Sequence, residues 1–96
     1  MSNRLPETLQ AIARRDALLR EAAARFCAGM THHQAAEMLR VKLLRYQTTA
    51  WQRDRAAEEC PARLSNRLDA LLWQILRTRD HIPSAMTIRR ALFVNN

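Results

Sequence analysis

Between residues 7 and 28 the chain has neither glycine nor proline. Ile12, Leu19, Ala23 and Phe26 recur there at helical spacing on one side, with Arg14, Glu21 and Arg25 on the other. This predicts one long amphipathic helix. Pro6 and Glu7 suit its first turn, because proline loses no hydrogen bond there and a carboxylate complements the helix dipole. Gly29, the only glycine, marks where that helix stops, since glycine enters the left-handed conformation of a helix end without strain. Thr31 and Gln34 form a T-x-x-Q capping box that opens a second helix, predicted over about 31–39. Its Ala35, Ala36 and Leu39 combine small and large residues as close helix crossing requires.

A turn at Arg40, Val41 and Lys42 is expected next, followed by a third helix over about 43–59. If Leu43, Tyr46, Ala50 and Ala57 face the core, then at about 100° per residue the opposite face presents Arg45, Thr48, Thr49 and Gln52. Cys60 and Pro61 close this unit, because proline cannot continue a helix and restricts the residue before it. A fourth helix is predicted over about 62–79. Leu64, Leu68, Leu71, Leu72, Ile75 and Leu76 make its broad apolar stripe, with Trp73 projecting from nearly the opposite side. Trp73 then packs either under another part of the same chain or against a second chain, and aromatic anchors are enriched at interfaces. Residues 82–96 open with Pro83 and the cap Ser84 and continue through Ile88, Leu92 and Phe93 as a short helix. The expectation is an all-α fold of about five helices in a single domain. It comprises a polar arm at 1–5, a helix-turn-helix unit at 6–59 and a C-terminal helical region at 61–96.

Charge directs this framework toward a polyanion. Sixteen basic residues against nine acidic ones give a net charge of +7, and arginine, which accounts for all the bases but Lys42, suits phosphates and guanine edges. No apolar run approaches the roughly 20 residues of a membrane span, and the first residues lack a signal peptide's apolar core, so a cytoplasmic protein is expected. No Gly-rich phosphate loop, nucleophile elbow or paired-carboxylate motif is present, so no enzyme is expected. Cys27 and Cys60 stand 33 residues apart and form no C-x-x-C pair, so neither zinc, nor another cofactor, nor a disulfide is expected.

The run AGMTHHQAAEMLRV resembles the helix-turn-helix of resolvase and invertase recombinases, insertion-sequence transposases and small phage or plasmid repressors. Gly29, Thr31, Ala35, Ala36, Leu39 and Val41 carry the likeness. Arg40 departs from it where a glycine is usual, as do Lys42 and Leu43 where a serine cap is common. The resemblance implies a helix after the turn that reads the major groove, a role falling on Arg45, Thr48, Thr49 and Gln52. His32, His33, Gln34, Lys42, Arg53 and Arg55 would meet the DNA backbone. The run TIRRAL, Thr87 to Leu92, is similar to the start of recognition helices in winged-helix sugar-operon repressors.

The reading that follows is a sequence-specific double-stranded DNA-binding repressor of a phage or mobile element. It would act as a homodimer on an inverted repeat, with Leu64, Leu68, Leu71, Leu72, Trp73, Ile75 and Leu76 as the dimer surface. The alternatives are a small helical adaptor or inhibitor, with Trp51, Trp73 and Met86 as contacts to a protein partner, or a DNA-packaging subunit.

Overall fold

In a computed structural model, residues 7–93 are described; the polar arm at 1–5 and the entry at Pro6 lie outside them. Helix α1, Glu7–Phe26, occupies the uninterrupted N-terminal stretch and buries Arg15, Leu18, Leu19 and Ala22, which share one face. It ends where expected. Gly29 takes φ +84°, and Met30 N–H donates to the Cys27 carbonyl at 3.0 Å to close the turn.

Helix α2 begins with the reciprocal cap: Gln34 N–H donates to Thr31 Oγ1 at 3.1 Å, and Thr31 N–H donates to Gln34 Oε1 at 3.0 Å. It then runs as one continuous helix, His32–Thr48. The turn expected at Arg40–Lys42 is absent, and with it the helix-turn-helix expected within 28–55. Nothing local interrupts the backbone there, for these residues include neither glycine nor proline. Leu39 and Leu43, four apart on one face, are both fully buried and hold the helix through the stretch.

The break falls instead at Thr49, whose backbone is distorted to φ −122° and ψ −102°, and is followed by the four-residue α3, Trp51–Asp54, in place of a helix over 43–59. In an unbroken helix Tyr46 and Trp51 would point about 140° apart and could not share one core. The break brings their rings to 6.1 Å and buries both. It also folds Asp54 back onto Tyr46, whose phenol donates to Oδ2 at 2.7 Å.

The predicted fourth helix divides into a 3-10 turn, Ala62–Leu64, and α4, Leu68–Thr78, with Asn66 between them at φ 64°. Asparagine tolerates that left-handed conformation better than most side chains. α4 is buried on more than one side: Leu71, Leu72, Trp73, Ile75 and Leu76 are all in the core, as is Leu64 before it, and Leu68 packs at its edge. The proposed dimer surface is therefore consumed within the chain. Trp73 is covered intramolecularly, its indole N–H donating to the Asp54 carbonyl at 3.1 Å and its ring lying under Arg77 at 5.1 Å.

Helix α5, Ala85–Phe93, starts at Ser84, whose Oγ accepts from Thr87 N–H at 3.1 Å. Ile88, Ala91 and Leu92 face inward against α1 and α2, and Arg20 of α1 donates to the Ala91 carbonyl at 3.2 Å. The molecule measures 43 × 34 × 20 Å, so its short dimension holds two layers of helices about 10 Å across. It is all-α, with five α-helices and no strand among the described residues. None of these helices is long and apolar enough to cross a membrane.

Candidate nucleic-acid interface

The basic side chains fall into two populations. Arg53 and Arg63 engage Asp54, Arg55 engages Asp80, Arg67 engages Asp69 and Arg25 engages Glu21. Arg20 and Arg77 donate to backbone carbonyls instead. By contrast Arg14, Arg40, Arg45, Arg79, Arg89 and Arg90 meet no carboxylate among the described residues, and four of these six, Arg40, Arg79, Arg89 and Arg90, gather around α5. Arg40 of α2, Arg79 of the segment leading to α5 and Arg90 line one recess with Arg15, Asp16, His81, Ser84 and Thr87. Arg90 also lines an adjoining shallow recess with Arg89, Met86 and Phe93. Met86 and Phe93 are 60% and 73% exposed, so the outer side of α5 carries two arginines between two uncovered apolar side chains.

The four residues assigned to base reading are all exposed but do not form one helical face. Arg45 and Thr48 lie in the last turn of α2, Thr49 caps it and Gln52 belongs to α3. The polar groups of Thr48, Thr49 and Gln52 are turned inward to the chain, whereas the Arg45 side chain is exposed and has no ion pair among the described residues. Thr48 Oγ1 donates to the Leu44 and Arg45 carbonyls, each at 3.1 Å, and Thr49 Oγ1 to the Arg45 carbonyl at 2.7 Å. Gln52 Nε2 donates to the Gln47 carbonyl at 2.9 Å. These bonds satisfy carbonyls that a helix C-terminus leaves open. That end of a helix carries partial negative charge, which disfavours a phosphate.

The residues assigned to the DNA backbone are scattered. Gln34 is committed to the capping box, and His32 meets Phe93 edge-to-face at 5.7 Å. His33 is exposed beside the same helix start. Lys42 flanks the buried side of α2, away from Arg40. Arg53 and Arg55 already have acid partners, at 3.5 Å and 3.7 Å. Only His32, through Phe93, adjoins the unpaired arginines of α5.

Two features escaped the sequence reading. The first is Arg15, which is 3% exposed and donates to Asp16 Oδ1 through both Nε, at 3.1 Å, and Nη2, at 3.0 Å. Its position on the face of Leu18, Leu19 and Ala22 was visible in the spacing. The second is the Asp54 hub. Its buried carboxylate accepts from Tyr46 and, at 2.6 and 2.8 Å, from Arg63 Nη2. Burial alone pushes this carboxyl up, but the Arg63 and Tyr46 hydrogen bonds with the Arg63 charge outweigh it and hold it below its ordinary value. Burial also raises the Cys27 and Cys60 thiols, so neither is primed as a thiolate.

Comparison with family models, with curated proteins and with solved structures finds no match to this chain.

Proposed function

We propose that this protein binds double-stranded DNA in the cytoplasm and that α5, rather than the stretch after Arg40, is the helix laid against the duplex. The observation that supports this is that four of the six arginines without a protein partner among the described residues, Arg40, Arg79, Arg89 and Arg90, lie on the side of the molecule where α5 shows its outer face. Guanidinium groups left without carboxylates keep their full charge for phosphates, and Arg89 and Arg90 sit on a capped helix short enough to lie in a major groove. The likeness of TIRRAL to the start of recognition helices agrees with this choice. Repression by occlusion is the action such a module has when its site overlaps a promoter.

Fluorescence anisotropy with a labelled duplex tests this directly. Four phosphate contacts give a log–log salt slope of about −3.6. Arg89→Glu then weakens binding about tenfold and makes the slope shallower by about 1. Binding that ignores salt, or an Arg89→Glu variant that binds as wild type, overturns the proposal. Equal affinity for a scrambled duplex removes the repressor and leaves a backbone binder.

Met86 and Phe93 favour a second reading, an adaptor that docks a protein on α5. It predicts capture of one partner that persists at high salt and is lost with Phe93→Ala.

A further inference from the structure

The recess beside α5 differs from a flat basic surface. It is an open recess of about 680 Å³, within the roughly 300–1,000 Å³ range of small-molecule pockets. Three separate parts of the chain bring arginines to its lining: α1 supplies Arg15, α2 supplies Arg40, and the α4–α5 region supplies Arg79 and Arg90. The one carboxylate in its lining, Asp16, is already engaged by Arg15. Asp80, adjacent in sequence to Arg79, is not part of the lining and is held by Gln47 and Arg55. Ser84 and Thr87, at the positive N-terminal end of α5, complete the polar side.

Four like charges around one opening repel each other, and one shared carboxylate does not cancel them. A single phosphodiester carries one negative charge, and a duplex backbone is a ridge that passes over a surface. A recess lined by arginines from three parts of the chain better suits a compact ligand carrying more than one charge, which bidentate arginine contacts can grip from several directions. We infer that this recess binds a small oligophosphate, of the chemical class of pyrophosphate or a nucleoside di- or triphosphate, with Arg40 and Arg79 as its principal ligands and the buried Arg15 as its fixed floor. Occupancy would neutralise Arg90 as well and so weaken duplex binding; that last consequence alone rests on the DNA reading.

Calorimetry and thermal melting of the full chain with pyrophosphate test the inference, against sodium chloride at matched ionic strength. Saturable binding with one ligand per chain and a raised melting temperature are expected. Arg40→Gln and Arg79→Gln, both at partly exposed positions, should each weaken pyrophosphate about tenfold while keeping the wild-type circular dichroism spectrum. Arg89→Glu, which lies outside the recess, should leave pyrophosphate affinity unchanged while impairing duplex binding. The inference is overturned if pyrophosphate acts no differently from chloride, or if both glutamine variants keep wild-type affinity. It is also overturned if Arg89→Glu loses pyrophosphate as severely as they do. A protein that binds duplex but not pyrophosphate sinks this inference and leaves the DNA proposal standing; the reverse result sinks only the latter.

Discussion

Arginine serves two different ends in this molecule. Around Asp54 it is a clip: Arg63 and Arg53 close on one buried carboxylate that also receives Tyr46, while the neighbouring carbonyl takes Trp73. Residues from α2, α3, the 3-10 turn and α4 are joined there. Beside α5 the same side chain is left unanswered, with Arg40, Arg79, Arg89 and Arg90 lacking acid partners among the described residues. The first arrangement uses its charge within the fold, and the second leaves its charge unneutralised by any carboxylate among the described residues. Surface charge count alone does not separate these two groups; the partners each side chain finds in the fold do.

The largest expected effect belongs to the clip. Asp54→Ala leaves the buried Tyr46 hydroxyl without its partner and removes a charge-assisted bond, which costs about 3 kcal/mol, read as a lower midpoint in urea unfolding. A cost under about 1 kcal/mol would show that the hub is incidental to stability. The same group sets a pH dependence. Its folded carboxyl lies below the ordinary value of 3.8, so its contribution is present above that pH and is lost as pH falls through the lower folded value. Acid titration of stability should therefore lose, in Asp54→Asn, part of the low-pH decline that the wild type shows.

The next effect lies at the α1–α2 junction, away from either arginine population. A Cβ built on Gly29 meets nothing within 4 Å, so the cost of Gly29→Ala comes from φ +84° and not from collision. That strain is worth about 1 kcal/mol, and thermal or urea unfolding would show it. A neutral result would mean that the junction relaxes to another backbone conformation.

This junction was the most legible part of the sequence. Gly29, Thr31 and Gln34 act within a few residues of one another, so glycine chemistry and a capping box specify the local structure before any tertiary contact forms. Ala35, Ala36 and Leu39 were readable in the same way as the buried face. The break at Thr49 was not, because the contacts that favour it lie elsewhere: Tyr46 reaches Asp54, Asp54 reaches Arg63 and Trp73 reaches the Asp54 carbonyl. Trp73 illustrates the same limit. Its position opposite the α4 leucines pointed to a second surface, and the chain covers that surface with its own 54–58 segment. For the candidate interface, composition disclosed the excess of arginine, but only the folded chain shows which arginines have acids beside them.

The smallest expected change is also the sharpest test of the contrast, namely the stability of Arg40→Gln and Arg79→Gln together. Neither side chain gives up an ion pair among the described residues when its charge is removed, and both are partly solvated. What disappears is mutual repulsion with Arg15 and Arg90 across the recess. The variant should therefore be as stable as the wild type, or more stable by about 0.5 kcal/mol at low salt. Any gain should shrink near 0.15 M salt, where the Debye length falls to about 8 Å. Urea unfolding at two ionic strengths measures both quantities. A loss above about 1 kcal/mol would mean that these arginines hold the fold through contacts like those at Asp54, and the distinction between clip and open charge would fail.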